Sequence, residues 1–343
     1  MMTTKNHVLC CGYSNQERGR CGNNIVASCT LEVQERKTVC VTTGNSILSS
    51  HIIKELLTRG YLIRVTLQNQ EDFEDMRELV SDNEMNQLER VVVAKMGDVD
   101  DLCEAFRGCH AIFHTSSFID PHGVSGYSES MAFLETEAAT NVIEACGRTA
   151  YLKRCIFTSS LLASIWQGND FSNEVVDETC WSNEDFCREN KLWMALGKTR
   201  AEKAAWRKAK EMKVNLISLC PGLLLSPSIP ITASATCIPY LKGSQTMLQR
   251  GLLAVDDFEN LAKAHVNVYE EMDYGACGRY LTFESVVKGL DEAREIQDQL
   301  KAHGLGPINC ELGEHGEKKS SLTNAKLMKL VARASNRISS CRK

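Results

Sequence analysis

The chain of 343 residues has no run of about eighteen consecutive apolar residues, the least that spans a bilayer as a helix. Its first stretch, MMTTKNHVLCCGYSNQERGR, lacks the apolar core and small-residue cleavage site of a secretory signal, so an intracellular, cytoplasmic protein is expected. An excess of positive charge is missing too. The net charge is −5 and the pI about 6.0, which speaks against the basic field that gathers nucleic-acid phosphates. Among the 16 cysteines there is no C-x-x-C pair with a nearby histidine pair, so the usual zinc spacings are absent and no metal is expected. The cysteines run from Cys10 to Cys341, scattered as reduced packing thiols are. Cys10, Cys11, Cys21 and Cys29 fall in a polar leader, read as residues 1–36.

What is present is the balance of a globular protein, 43% hydrophobic and 24% charged, long enough for one large α/β domain or two ordinary ones. Strand-like runs at 38–42, 62–67, 91–94, 111–114, 154–158 and 214–219 alternate with helix-like spacing at 47–58, 101–106, 127–146 and 191–212. That alternation predicts an α/β fold, a doubly wound parallel sheet covered on both faces. After Pro221 the character changes: LCPGLLLSPSIP is rich in proline, and amphipathic 258–269, strand-like 279–283 and charged 291–302 follow. These elements predict a smaller cap over the carboxyl edge of the sheet. Residues 318–343 predict a terminal helix with a solvated basic face.

The turn after the first strand, VTTGNSILSS, stands where such a fold places its phosphate loop. Only Gly44 remains of the glycine fingerprint, with Thr43, Ser46 and Ser49 at the spacing of the usual glycines. Small hydroxyl side chains and the N–H groups that open the next helix still suit a diphosphate; a serine cap on a core helix is the plain alternative.

KTVCVTTG, LLTRGYLIRVT, GDVDD, GCHAIFHT, CIFTSS, VVDETCWS, GKTRAEKAAW, LCPGLLLSP and AHVNVYE occur in this order. Together they resemble the extended short-chain dehydrogenase/reductases, and among them the plant cinnamoyl-CoA reductase and dihydroflavonol reductase group. The resemblance implies a Rossmann-type NAD(P)-binding domain over residues 37–220 and a substrate-binding region with a C-terminal helix over 221–343. It implies NADP as cofactor, with NAD the alternative, and a small-molecule substrate, a hydroxycinnamoyl thioester reduced to an aldehyde in phenylpropanoid metabolism.

The residue roles follow from the same likeness. Ser160, with Ser159 its neighbour, would hold the substrate carbonyl, and Lys198 would bind the nicotinamide ribose. The family's catalytic tyrosine falls on Met194, which has no proton to give. Catalysis would then be impaired, or the chain an inactive dinucleotide-binding or regulatory relative. Thr43, Gly44, Ser46, Ile47, Leu48, Arg64, Gln68, Asp98, Val99, Thr115 and Pro221 would border the cofactor, with Gln68 replacing the arginine that pairs with a 2′-phosphate. Tyr127 and Tyr151 have no spacing that brings either to the site, and His265 is expected to be a packed histidine.

Overall fold

The computed structural model describes residues 36–115, 127–168, 175–225, 237–302 and 320–341. The expected leader lies outside them. Seven strands form the central sheet: β1 (Thr38–Val41), β2 (Leu62–Leu67), β3 (Arg90–Val93), β4 (Ala111–His114), β5 (Arg154–Thr158), β6 (Asn215–Pro221) and β7 (Gly278–Thr282). Their spatial order is β7-β6-β5-β4-β1-β2-β3 and every pair is parallel. The chain winds one way from β1 to β3 and the other way from β4 outward, so the switch between β1 and β4 opens the crevice where such sheets bind ligands.

The strands form because successive side chains face opposite layers, and both layers are apolar. Val39 and Val41 face a cluster with Ile52, Ile53, Phe113 and Leu261, while Cys40 faces one with Phe106, Ile112, Val142 and Ala205. The first cluster is closed by helices α1 (Ile47–Thr58) and α5 (Phe258–Glu271), the second by α2 (Val99–Phe106), α3 (Glu129–Arg148) and α4 (Trp193–Met212). The C-terminal α6 (Ala325–Cys341) adds Leu327 and Leu330 to the first layer.

A third apolar cluster, with Leu161, Trp166, Met194, Tyr240 and Leu253, joins the end of α4 to the segment beyond Pro221. Short strands Leu223–Leu224, Ala254–Asp256 and Ser285–Val286 make a small second sheet there. Residues after 221 are thus shared: they build this cap and also supply β7, α5 and α6 to the main layers. Every cysteine whose side chain is described is a free thiol. No helix among the described residues is long and apolar enough to cross a membrane.

Candidate active site

The loop between β1 and α1 folds tightly onto β2. Gly44 donates to Thr66 O at 3.0 Å, and a Cβ on Gly44 would stand 2.2 Å from Val65 Cγ1, so only glycine lets the loop lie this close. Thr43 has φ +55°, a left-handed backbone that costs a β-branched residue about 1–2 kcal/mol. Ser46 caps α1 by accepting from Ser49 N at 3.1 Å. Ser49 Oγ turns inward, 2.8 Å from Thr43 O and 2.7 Å from Ser46 O, filling space that a glycine would leave open.

A dinucleotide diphosphate fits this cradle on two grounds. The first N–H groups of a helix have no intrahelical acceptor, and Ile47 and Leu48 open α1 beneath the loop. Thr43 Oγ1, Asn45 Oδ1 and Thr66 Oγ1 are shut off from solvent without a hydrogen-bond partner among the described residues, and buried polar atoms of that kind call for a ligand or water.

The adenosine end fits a 2′-phosphate less well. Gln68 spends its amide oxygen on Met96 N at 3.1 Å, and Asp72 Oδ2 accepts from Gln68 N at 3.0 Å and Asn69 N at 3.2 Å. A carboxylate therefore stands at the mouth of β2, where the expected arginine is absent.

Arg64 does not belong to this edge, and the expectation that it borders the cofactor is corrected. Its guanidinium is held by Glu89 at 2.9 Å and by Ala105 O and Arg107 O at 2.8 and 2.7 Å. Those carbonyls end α2, at the opposite edge of the sheet. Asp98 caps α2, accepting from Asp100 N and Asp101 N at 2.9 and 3.1 Å, and Val99 is the helix's first residue.

At the switch point Thr42 stitches β1 to β4: its hydroxyl lies 3.0 Å from His114 Nδ1 and accepts from Thr115 N at 3.2 Å, while Thr115 Oγ1 donates to Thr42 O at 2.6 Å. Burial first, then the Lys198 cation, push His114 down to about 3. Burial likewise lowers His265 to about 4; its ring is packed between Thr158 Oγ1 at 2.7 Å and Leu261 O at 2.8 Å.

Both histidines fold neutral, whereas an unfolded histidine titrates near 6.5. Their contribution to stability is complete above about pH 6.5 and is lost as pH falls toward 4, at up to about 1.4 kcal/mol per unit for each. Urea midpoints at pH 7, 6 and 5 should fall in that order, and His265→Gln should flatten the slope; equal midpoints would contradict it.

Ser160 sits just past β5, buried, with Oγ accepting from Leu162 N at 3.2 Å. Leu161 N donates to Pro221 O at 2.8 Å, tying this turn to the end of β6. Ser159 is turned away, donating to Glu202 Oε2 at 2.7 Å.

On α4, Met194 and Lys198 lie one turn apart and are both buried. Met194 packs in the third cluster beside Leu161 and Trp166. The ammonium of Lys198 pairs with Glu135 of α3, whose other oxygen accepts from the Tyr127 phenol. Burial and that carboxylate push the phenol far above its ordinary value. Gly197 makes the arrangement possible, because a Cβ there would lie 2.1 Å from Tyr127 Oη. Tyr127 is thus brought beside Lys198, but with its phenol spent on Glu135. Tyr151 is 98% exposed in the turn before β5, at the opposite edge.

The model of the 3-beta hydroxysteroid dehydrogenase/isomerase family matches residues 40–215. Cinnamoyl-CoA reductase 1 of Petunia hybrida is 37% identical over 256 residues, 73% of this chain and 74% of that protein. The chain belongs to the extended short-chain dehydrogenase/reductases, in the cinnamoyl-CoA reductase and dihydroflavonol reductase group. Members of this group are NAD(P)-dependent oxidoreductases that act on carbonyl groups. Solved structures repeat the fold: vestitone reductase from alfalfa has a TM-score of 0.63 at 24% identity, covering 86% of this chain and 92% of that one. Yeast methylglyoxal/isovaleraldehyde reductase, solved with NADPH, has a TM-score of 0.62 at 19% identity, covering 86% and 93%.

Two features of this reductase were not foreseen from sequence. Glu135 lies on the apolar stripe of α3 with Ala132, Ala139, Val142 and Cys146, and a carboxylate on such a stripe signals a buried partner. Glu202, four residues past Lys198, is fully buried and pairs with Arg279 of β7 at 2.7 Å.

Proposed function

We propose that this protein is an NADP-dependent reductase of hydroxycinnamoyl thioesters, slowed by the loss of its proton donor. The observation that carries the reading is the placement of Lys198, buried on α4 one turn from Met194, in a fold whose β1–α1 loop keeps buried polar atoms without a partner among the described residues. NADP, when bound, supplies the hydride. Thr43, Ser46 and the opening of α1 would hold its diphosphate, Lys198 its ribose, and Ser160 would polarise the substrate carbonyl by donating a hydrogen bond to its oxygen. Met194 cannot protonate the oxygen, and a missing positioned acid costs about 10²–10⁴ in rate. The thioester is supported by the likeness to cinnamoyl-CoA reductases, and phenylpropanoid metabolism follows from it.

A second reading, a dinucleotide-binding relative without turnover, is favoured by one contact: Glu135 already neutralises Lys198. Oxidation of NADPH and NADH with feruloyl-CoA, coumaroyl-CoA and a dihydroflavonol, on wild type beside Met194→Tyr, separates the two. Slow wild-type reduction of the thioesters and a gain of about a hundredfold in the variant support the reductase. Turnover in the variant alone supports the inactive relative. No turnover and no dinucleotide uptake by either protein defeats both.

A further inference from the structure

A cavity of about 620 Å³ opens at the amino edge of the sheet, on the far side of the strands from the phosphate cradle. Lys37 precedes β1, His110 precedes β4, and Lys153 and Arg154 stand at the start of β5, so the cavity gathers the strand beginnings, not the strand ends. Arg107 joins these groups and no carboxylate is among the lining residues. Asp273 lies behind them, 4.0 Å from Lys37 and 2.5 Å from Arg154, and Glu104 pairs with Arg107. The ends of α2 and α3 also face this edge, where Ala105 O takes Arg64 at 2.8 Å and Gly147 O takes Lys153 at 2.9 Å. Four cations, Lys37, Arg107, Lys153 and Arg154, meet two carboxylates, Asp273 and Glu104, so these groups keep an excess of two positive charges.

Tyr269 provides the independent sign of a ligand. It lines the cavity, is 2% exposed, and its hydroxyl has no hydrogen-bond partner among the described residues. Its ring is fixed edge-on to Phe113 at 5.4 Å, so the hydroxyl cannot swing away to water. Buried hydroxyls are almost always paired, and an orphan in the wall of a cationic cavity lacks an acceptor that an anion would bring. At the rim, Tyr151 has φ +64° and is 98% exposed, an unfavourable backbone that presents a bare aromatic face suited to stacking on a base.

We propose that this cavity is a second ligand site, binding a nucleoside diphosphate with its phosphates among Lys37, Lys153 and Arg154 and its base against Tyr151. The volume is that of a small-molecule site, and the site is separate from the dinucleotide cradle.

Calorimetry with ADP and with pyrophosphate, on protein first saturated with NADPH or NADH, tests it. Binding that persists beside the dinucleotide, weakens about tenfold in Lys153→Glu, weakens in Tyr269→Phe and Tyr151→Ala, and declines as salt rises is expected. Lys153 is exposed, and unchanged melting of its variant excludes unfolding as the cause. Pyrophosphate bound as tightly as ADP overturns the role of Tyr151 and the nucleoside. Loss of ADP binding on saturation with dinucleotide, or indifference to Lys153→Glu, places the ligand in the cradle and overturns the second site. Absence of uptake of either anion shows that Tyr269 holds only water. None of these outcomes depends on whether the protein reduces a thioester.

Discussion

Replacing Glu202 by alanine should cost about 3–5 kcal/mol, the penalty for stranding one member of a buried ion pair. Glu202 is 0% exposed and Arg279 7%. The carboxylate takes Arg279 through both oxygens, at 2.7 and 3.1 Å, and also accepts from Ser159 at 2.7 Å and Ser218 at 2.5 Å. Without it a buried guanidinium and two buried hydroxyls lose their shared acceptor. The other arms of Arg279 reach Glu178 O at 2.9 Å and Cys180 O at 2.6 Å, and its plane lies 3.7 Å from the centre of the Trp181 ring.

One network therefore ties β5, β6, β7 and α4 to the segment 178–181, and that segment leads to Ser182, which supports Trp166 N at 2.9 Å. The variant should lose stability and also loosen the Ser160 turn. Glu202→Gln, which keeps the shape and part of the hydrogen bonding, should lose less. Urea denaturation of the three proteins measures this; an alanine variant within about 1 kcal/mol of wild type would show that the pair contributes nothing beyond its desolvation cost.

The seven strands of the central sheet and the long helices were legible from their apolar patterns, whereas the short helices Asp72–Leu79 and Ser244–Arg250 were not read. The parallel strands read as continuous apolar runs, and α1, α3, α4 and α5 read as helical stripes near their observed bounds. The tight turn from β1 into α1 was legible as well, since Gly44 and the hydroxyl residues around it stand directly after a strand. Side-chain direction was less accessible. Arg64 is three residues from the end of β2, but strand alternation leaves open which layer and which edge a long side chain serves. The partners of Lys198 and Arg279 were invisible for a different reason: Glu135 lies 63 residues away from its lysine and Glu202 lies 77 from its arginine, and only the fold joins them. A charge at an inward helical position gives the warning that such a partner exists, without naming it.

Glu135→Gln should weaken the free protein and enlarge the stabilisation it gains from cofactor. The amide can still accept from Tyr127, so shape and that hydrogen bond persist, but Lys198, with its side chain 6% exposed, loses its counter-charge. Removing one partner of a buried pair should destabilise the free protein by about 3 kcal/mol. The same ammonium then has only ribose hydroxyls to turn to, so dinucleotide affinity should rise about tenfold or more, and ligand at a hundred times its Kd should restore about 2.7 kcal/mol. Melting curves with and without NADPH and NADH read both effects in one experiment. On the proposed reading Met194 withholds a proton and Glu135 occupies the cation, two independent effects, so Met194→Tyr and Glu135→Gln together should raise turnover by about the product of the single gains. Equal melting of wild type and Glu135→Gln, with unchanged cofactor affinity, would mean that Glu135 neither restrains Lys198 nor stabilises the α3–α4 contact, and the lysine's place in the cofactor site would have to be abandoned.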